Sequence, residues 1–101
     1  MYNIKKNVLL RRARNIKCIH LENEGILYNP SKEDKYLANI TCMIIWDFID
    51  GSRTVQKIIE EFATICEVAQ ENIEDDICSQ IAMLQELGFV EEVKASSEIY
   101  V

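Results

Sequence analysis

The sequence contains few of the residues on which catalysis and metal binding usually depend. It has one histidine, His20, and its three glycines, Gly25, Gly51 and Gly88, are isolated, so no glycine-rich phosphate loop is present. The four cysteines are widely spaced and form no CxxC pair, which leaves a zinc or iron–sulfur site without a local scaffold. Only Cys18 has a histidine nearby, and no third group for nucleophilic catalysis is evident. We therefore expect a chain that is not an enzyme and needs no cofactor or metal ion.

The sequence also lacks long hydrophobic runs. No apolar stretch approaches the roughly 18 residues of a membrane span, and the segment 1–15 has too short an apolar core for a secretory signal. With 101 residues, 49% of them hydrophobic, the chain is long enough for one domain with its own core. These features predict a cytoplasmic protein without membrane contact, whose cysteines stay free of disulfides.

Positive charge is concentrated at one end of the chain. Residues 1–17 carry six Lys or Arg and no acid, whereas residues 18–101 carry five Lys or Arg against seventeen Asp or Glu. A solvated or frayed terminus is the simpler interpretation of this basic segment. The alternative is an arm that contacts an acidic partner.

What the sequence does contain is a helix that is apolar nearly all round. Only two of the residues 40–49 are polar, so this helix is predicted to lie in the middle of the fold, with Trp46 as a buried anchor. Gly51 suits the C′ position that ends such a helix, and Thr54 suits the N-cap of the next one.

Extended segments precede this helix. Alternating apolar residues and turn residues indicate an antiparallel meander of three strands, with a weaker candidate strand before them. Gly25 is assigned to a turn position that needs positive φ. The strands are placed at 16–21, 26–28 and 36–38, and the weaker candidate at 8–12.

Two further helices follow, one from Thr54 and one from Glu71 to Gly88, and residues 89–93 form a short strand. The tail contains Ile99, Tyr100 and Val101, which could dock on the domain. The predicted fold is α+β: a three-stranded antiparallel sheet followed by a three-helix winged helix-turn-helix bundle, in a single domain. Its parts are a basic arm at 1–15, the sheet at 16–38, the helices at 40–88, and the wing and tail at 89–101.

Winged helices commonly bind DNA, so a nucleic-acid function has to be weighed. Such binding depends on Lys and Arg that neutralise phosphates. Residues 71–93, the third helix and wing, contain seven acids and no Lys or Arg. The sequence therefore predicts no nucleic-acid partner for this face, and only the basic segment 1–17 keeps that option open.

Four short motifs in a fixed order resemble one known family. They are G-I-L-Y-N-P at 25–30, Y-L-A-N-I-T at 36–41, I-W at 45–46 and D-G-S-R-T-V at 50–55. The set resembles the pyrroloquinoline-quinone biosynthesis protein D family, also called precursor-peptide recognition elements of ribosomally made, post-translationally modified peptides (RiPPs). The likeness spans about residues 16–93. Where such sequences usually have Leu before Asn39, this one has Ala38, a departure expected to affect the peptide groove and not the fold.

The resemblance implies a module that binds the leader region of a precursor peptide. In the family, the leader joins the sheet as an extra strand beside the third strand, in a groove closed by the third helix. Some of the apolar residues carried over by position must belong to the core, and the better groove candidates on the helix are Gln80 and Met83. The strand residues are Lys35, Tyr36, Leu37, Ala38 and Asn39, and the helix residues are Asp76, Ile77, Gln80, Ile81, Met83 and Leu84.

The resemblance also implies a second partner, a separate modifying enzyme. This would be a radical S-adenosylmethionine enzyme, or the leader peptidase or cyclase of a lasso-type pathway. Arg11, Arg12 and Arg14 are assigned to the docking of that enzyme. The alternative function is a winged-helix transcription regulator or a structural interaction domain. An open sheet edge can pair with its own copy, so a monomer or weak homodimer is expected.

Overall fold

The computed structural model describes residues 4–93, which form two small antiparallel sheets and three helices. Strands β2, β3 and β4 make a three-stranded sheet in that order, and β1 pairs with β5. The prediction of an α+β fold, with a three-stranded antiparallel sheet followed by three helices, is confirmed. In chain order the elements are β1 (Leu10–Arg12), β2 (Lys17–His20), β3 (Glu24–Asn29), β4 (Asp34–Asn39), α1 (Ile40–Phe48), α2 (Val55–Cys66), α3 (Gln70–Glu86) and β5 (Val90–Glu92).

The two faces of the three-stranded sheet have different surroundings. The register pairs Cys18 with Leu27 and Leu27 with Tyr36, which places these three residues on one face. Leu27 is fully buried, and Cys18 and Tyr36 contact the core, because α1 packs on this inner face. The alternate residues belong to the opposite, outer face.

Helix α1 packs on β3 and β4 and lies at the centre of the core. It begins at Asn39, whose side-chain oxygen accepts a hydrogen bond from the Cys42 N–H at 2.8 Å and satisfies one free donor of the first turn. Trp46 is 1% exposed, so its prediction as a buried anchor is confirmed. The chain leaves the helix through Gly51, whose φ of 89° suits glycine because it has no Cβ.

The D-G-S-R-T-V motif forms the link between α1 and α2. The Oδ1 atom of Asp50 accepts hydrogen bonds from the N–H and the hydroxyl of Ser52, at 2.9 and 2.7 Å. The guanidinium of Arg53 donates to Oδ2 of the same carboxylate at 2.8 Å. Thr54 caps α2 as predicted, since its hydroxyl oxygen accepts a hydrogen bond from the Lys57 N–H at 3.1 Å. The motif is therefore a structural turn between two helices.

The basic N-terminal segment is part of the folded domain from residue 4 onward. Leu10 is fully buried, and its carbonyl oxygen accepts a hydrogen bond from the Gly51 N–H at 2.8 Å. The carbonyl oxygen of Val8 accepts one from the Val55 N–H at 3.1 Å. The expectation of a solvated terminus therefore does not describe residues 4–15, and residues 1–3 lie outside the described part of the chain.

The winged helix-turn-helix label is not confirmed. Strand β5 follows α3 as predicted, but its partner is β1 from the start of the chain, with Arg11 opposite Glu91. Within residues 4–93 the two strands make a short ribbon. The tail with Ile99, Tyr100 and Val101 lies outside the described residues. None of the helices in the described part is both long and apolar enough to cross a bilayer.

Gly25 is needed for close packing and not for a turn. Positive φ occurs at Gly51 and Gly88 but not at Gly25, so the turn prediction for Gly25 is wrong. Gly25 is buried on the inner face opposite Ala38. A Cβ at Gly25 would overlap the Sδ atom of Met43, which projects from α1.

The four cysteines are free thiols that differ in exposure. Cys42 on α1 and Cys78 on α3 are buried, whereas Cys66 at the end of α2 is exposed. Cys66 therefore does not contribute to the core. Burial raises the pKa of the Cys42 thiol to about 11, which keeps this group protonated at neutral pH.

Candidate functional site

Strand β4 has one paired edge and one open edge. Its six residues pair with β3, and no strand within residues 4–93 pairs with the other side. The second open edge of this sheet belongs to β2, which has four residues. Strand β4 therefore offers the longer run of backbone donors and acceptors to an added strand.

In an antiparallel sheet, the positions of the hydrogen-bonded pairs determine which residues of a strand direct their N–H and C=O groups to one neighbouring strand and which direct them to the other. The Leu21 N–H donates to the Glu24 carbonyl oxygen at 2.8 Å, so these residues form a hydrogen-bonded pair. In an antiparallel ladder such pairs alternate with pairs that are not bonded to each other. Ile26 is therefore bonded to β2, and its neighbour Leu27 directs its backbone groups to β4.

The same alternation fixes the orientation of β4. Leu27 lies opposite Tyr36, and the next inward residue of β4 is Ala38, so Tyr36 and Ala38 are bonded to β3. Lys35 and Leu37 then direct their N–H and C=O groups away from the sheet. The open edge therefore includes the backbone of these two residues and, by the same alternation, the N–H of Asn39.

The side chains of β4 divide between the two faces of the sheet. Tyr36 is half-buried against the core, and burial raises the pKa of its hydroxyl group. Lys35 is exposed and Leu37 is 60% exposed, both on the outer face. Asn39 uses its side chain to cap α1.

Ala38 does not line an exposed groove. Its side chain is fully buried on the inner face, opposite Gly25. The departure from the family's leucine therefore changes the core, and the expectation that it would affect the peptide groove is not supported by the position of its side chain.

Three of the six candidate residues on α3 belong to the core. Ile77, Ile81 and Leu84 are fully buried. In this conformation they offer no surface to a peptide, so their assignment to the groove is corrected. Their four- and three-residue spacing is that of the stripe by which a helix packs on its domain.

The other three candidates share one side of α3. Asp76 is exposed and Gln80 and Met83 are half-buried, at the i, i+4, i+7 spacing that aligns residues along a helix. On the opposite side, Glu74 forms an ion pair with Lys6 of the N-terminal segment. Asp76, Gln80 and Met83 therefore lie on the side of α3 that faces away from this segment.

The C-terminal end of α3 lies close to the turn from which β4 starts. The Nζ atom of Lys32, in the turn between β3 and β4, is 3.2 Å from the position that a Cβ on Gly88 would occupy. Helix α3 packs against α1, α2 and β5, while β4 packs against β3 and α1. Both β4 and α3 therefore pack on α1, and the C-terminal end of α3 lies beside the start of β4.

Comparison with known proteins assigns this arrangement to a family. The sequence profile of the family described as "Coenzyme PQQ synthesis protein D (PqqD)" matches residues 24–90, from β3 to the start of β5. The chain belongs to the PqqD family. Among solved structures, the PqqD-family chain is similar to TbiB1 in complex with the TbiA(beta) leader peptide, with 14% sequence identity and a TM-score of 0.71. The alignment covers 80% of this chain and 94% of TbiB1, and at this identity it shows a shared fold. No curated protein sequence matches the chain.

Two of the three arginines assigned to enzyme docking have partners within this PqqD-family domain. The Arg12 guanidinium donates to the Trp46 carbonyl oxygen at 2.9 Å and lies 4.8 Å from the centroid of the Trp46 ring. Arg11 forms an ion pair with Glu91 of β5 at 2.8 Å. Arg14 is exposed. The contacts of Arg11 and Arg12 explain these two residues without an enzyme.

Cys18, His20 and Asp47 form a row that has the parts of a nucleophilic site. The Cys18 Sγ atom lies 3.9 Å from Nδ1 of His20, and Nε2 of His20 lies 3.5 Å from Oδ1 of Asp47. The third group, Asp47, comes from α1 and was not identified from the sequence. Burial and the Asp47 carboxylate raise the pKa of the Cys18 thiol, the reverse of what an activated thiolate needs. Within residues 4–93, no group of three His, Cys, Asp or Glu side chains could hold a metal ion.

Proposed function

We propose that this chain binds the leader region of a ribosomally made precursor peptide by strand addition and presents it to a separate modifying enzyme. The observation that carries the proposal is the open edge of β4, where Lys35 and Leu37 direct their backbone groups away from the sheet. An extended peptide along this edge satisfies those groups in register. Membership of the PqqD family and the likeness to TbiB1, which was solved with a leader peptide, support it.

Side chains of the added strand supply the selectivity. Successive residues of a strand point to opposite faces of a sheet. One set of leader side chains would project beside Leu37 on the outer face, and the other set would project towards Asp76, Gln80 and Met83 of α3. The exposed carboxylate of Asp76 favours a leader that carries Lys or Arg at one of these positions.

In this proposal the separate modifying enzyme carries out the catalysis, and the chain is a non-catalytic cytoplasmic adaptor. The partner is a radical S-adenosylmethionine enzyme, or the peptidase or cyclase of a lasso-type pathway. The raised pKa of Cys18 supports the absence of catalysis, because the row of Cys18, His20 and Asp47 lacks a stabilised thiolate.

A winged-helix regulator is disfavoured by the charge of α3. Helix α3 contains five acids, Glu71, Glu74, Asp75, Asp76 and Glu86, and no Lys or Arg. A helix of this charge repels the phosphates of a duplex.

The proposal is tested by proline substitution at Leu37. The Leu37 N–H faces the open edge, so Leu37→Pro removes a donor that the peptide needs and no bond to β3. We expect leader affinity to fall about tenfold or more, since one hydrogen bond is worth about 0.5–1.5 kcal/mol and the proline ring also obstructs the edge. Leu37→Ala, the matched control, keeps the donor and should change affinity by about twofold or less. The measurement is fluorescence anisotropy with the leader of the precursor peptide encoded nearest to this chain.

A second control separates binding from folding. The Tyr36 N–H is bonded to β3, so Tyr36→Pro should lower the melting temperature much more than Leu37→Pro. Equal destabilisation by the two prolines would contradict the assigned phase of β4. Wild-type protein that binds no leader peptide, or Leu37→Pro protein that binds it unchanged, would refute strand addition at this edge.

A further inference from the structure

Cys18 and His20 lie on the inner face of β2, at the gap between this strand and α1. The register pairs Cys18 with Leu27 and His20 with Gly25, so the two side chains project from the same side of the strand, two residues apart. Strand β2 is at the edge of the sheet, where Cys18 is half-buried and His20 is exposed. An ion in solution can therefore reach both groups. This place is at the opposite edge of the sheet from the open edge of β4.

The Asp47 carboxylate determines which nitrogen of His20 is free to bind an ion. Nε2 of His20 lies 3.5 Å from Oδ1 of Asp47, so the neutral ring keeps its proton on Nε2 and directs it to the carboxylate. The lone pair of Nδ1 then faces the Cys18 sulfur, which lies 3.9 Å away. A histidine that binds a metal ion through one nitrogen usually donates the N–H of the other nitrogen to such a carboxylate.

The distance between the sulfur and the nitrogen fits one bound ion. Zinc, for example, lies about 2.3 Å from a thiolate sulfur and about 2.0 Å from an imidazole nitrogen, and these two bonds together span about 4.3 Å. This is slightly more than the 3.9 Å between Cys18 Sγ and His20 Nδ1, so one ion can contact both atoms at a wide angle where they stand. The Asp47 carboxylate contacts the other side of the ring, which leaves two protein ligands.

A buried donor beside Cys18 has no partner while the thiol is protonated. The indole Nε1 atom of Trp46 is buried and has no hydrogen-bond partner among residues 4–93. An orphaned donor in a core costs free energy. Burial raises the pKa of the Cys18 thiol, but the Trp46 N–H acts in the opposite direction, because it can donate to the thiolate form. A thiolate held by a metal ion supplies the missing acceptor.

The charges around the two ligands favour a monovalent ion. The Arg12 guanidinium lies 3.9 Å from the Asp47 carboxylate, so these two charges offset each other. The Cys18 thiolate adds one negative charge, which a monovalent cation neutralises and a divalent cation exceeds. Zinc also prefers a full tetrahedral shell of protein ligands in structural sites. Cu(I) is a soft ion that favours thiolate and imidazole ligands and accepts low coordination numbers.

We propose that Cys18 and His20 form a binding site for a soft monovalent metal ion, Cu(I), with Asp47 as the positioning residue of His20. The ion displaces the thiol proton to solvent when it binds, so a preformed thiolate is not required. Cys18 Sγ and His20 Nδ1 are the ligands, the Trp46 N–H donates to the bound sulfur, and solvent completes the shell at the open side. This site does not depend on the proposed leader binding.

The test measures the affinity of the full chain for Cu(I), by competition with a coloured Cu(I) chelator in the absence of oxygen and of added thiols. Cys66 is an exposed thiol outside the site, whereas Cys42 and Cys78 are buried. The substitutions are therefore made in a Cys66→Ser background, and Cys66→Ser alone is the matched control. Trp46 is the single tryptophan, so quenching of its fluorescence shows whether the ion lies beside its ring. Circular dichroism checks that each variant is folded.

We expect one Cu(I) per chain, with quenching of Trp46 fluorescence and an affinity that Cys66→Ser changes by about twofold or less. Cys18→Ser removes the soft ligand and should lower the affinity about 100-fold or more. His20→Gln and Asp47→Asn should each lower the affinity about tenfold or more, as the loss of an outer-shell partner does for other metal sites. Because Asp47 acts through His20, Asp47→Asn should have no further effect in the His20→Gln variant, which a merely structural role would not produce.

Any of four results would overturn the assignment. Affinity that His20→Gln leaves unchanged would mean adventitious binding to a lone thiol, and since His20 is exposed, this variant decides the matter even if Cys18→Ser does not fold. Binding that is lost in Cys66→Ser would place the ion elsewhere. Zinc bound as tightly as Cu(I), or no Cu(I) retained against the chelator, would contradict a soft monovalent site. Each outcome leaves leader binding at β4 standing, because that edge lies on the other side of the sheet.

Discussion

Replacing Gly25 with alanine adds one methyl group where Met43 leaves no room for it. The new Cβ would overlap the Met43 Sδ atom, and it would lie 2.6 Å from Cε of Met43 and 3.1 Å from the Ile19 carbonyl oxygen. Met43 is 4% exposed, so its thioether has to displace other core side chains to make space. Overpacking of this kind costs about 1–3 kcal/mol.

A smaller effect acts in the opposite direction. Gly25 does not have positive φ, so alanine fits its backbone conformation and restricts the unfolded chain, which stabilises the protein by about 0.4–1 kcal/mol. We expect Gly25→Ala to lower the free energy of unfolding by about 1–2 kcal/mol in total. For a domain of this size, this corresponds to a fall in melting temperature of roughly 5–15 °C.

The assay is urea unfolding followed by the fluorescence of Trp46, the single tryptophan, and by circular dichroism. The decisive comparison repeats Gly25→Ala in a Met43→Ala background, where the overlapping atoms are absent. Met43→Ala alone costs about 2–5 kcal/mol, but in that background the added methyl group should cost nothing or stabilise. The coupling energy between the two sites should therefore be about 1–3 kcal/mol. Additive effects would refute the explanation of Gly25 by the contact with Met43.

Three further predictions concern Arg12 and the cysteines. Arg12→Ala should lower the free energy of unfolding by about 1–2 kcal/mol, because the guanidinium is hydrogen-bonded to the Trp46 carbonyl oxygen and stacked on the Trp46 ring. Arg14→Ala, the control, should change the free energy of unfolding by less than about 0.5 kcal/mol. Equal midpoints of urea unfolding for the two variants would contradict this prediction. Burial raises the pKa of the Cys42 thiol from 9.0 to about 11. The contribution of the protonated thiol to stability is therefore intact below pH 9 and is lost as the pH rises through about 11. The melting temperatures of wild type and Cys42→Ala should converge across that pH range. At neutral pH, mass spectrometry after alkylation should find Cys66 labelled in the native protein and Cys42 labelled only after unfolding, and native labelling of Cys42 would count against its burial.

The fold could be predicted because its strongest signals are local. The apolar run that became α1 and the cap at Thr54 are each read within a few residues, and both have the predicted structural role. Gly51 has the positive φ that was expected of it, but it lies two residues after the C-cap Ile49 and not at the predicted C′ position. The alternation in β2, β3 and β4 likewise depends on near neighbours and their turns. The order and the type of these elements could therefore be predicted from the sequence.

What the sequence could not show depends on contacts between distant residues. The bond from Arg12 to the Trp46 carbonyl spans 34 positions, and nothing near Arg12 reveals it. The pairing of β1 with β5 joins the two ends of the described chain, which is why the N-terminal segment was expected to be solvated. Gly25 carried an ordinary turn signal, and only the position of Met43 shows that close packing is the reason for it.

The sequence assigned the candidate site to two elements, β4 and α3, without separating their surface side chains from their core side chains. Tyr36 and Leu37 are neighbours on β4 and point to opposite faces, and only the register shows that Tyr36 is the one that contacts the core. On α3, apolar periodicity identified the buried stripe, which is why Ile77 and Ile81 were named beside surface residues such as Gln80. A single sequence without structure does not separate a core stripe from a groove that runs along its margin.

The position of Ala38 connects the core to the open edge. Ala38 and Gly25 are cross-strand partners on the inner face, and Met43 of α1 fills the space over Gly25. A leucine at 38 would have to fit into this filled part of the core, where added volume is costly. The side chain of Ala38 lies on the inner face, so residue 38 contributes no side chain to the outer face beside Lys35 and Leu37. In the proposed complex, selectivity would therefore depend on Leu37 and Lys35 and on the exposed side of α3.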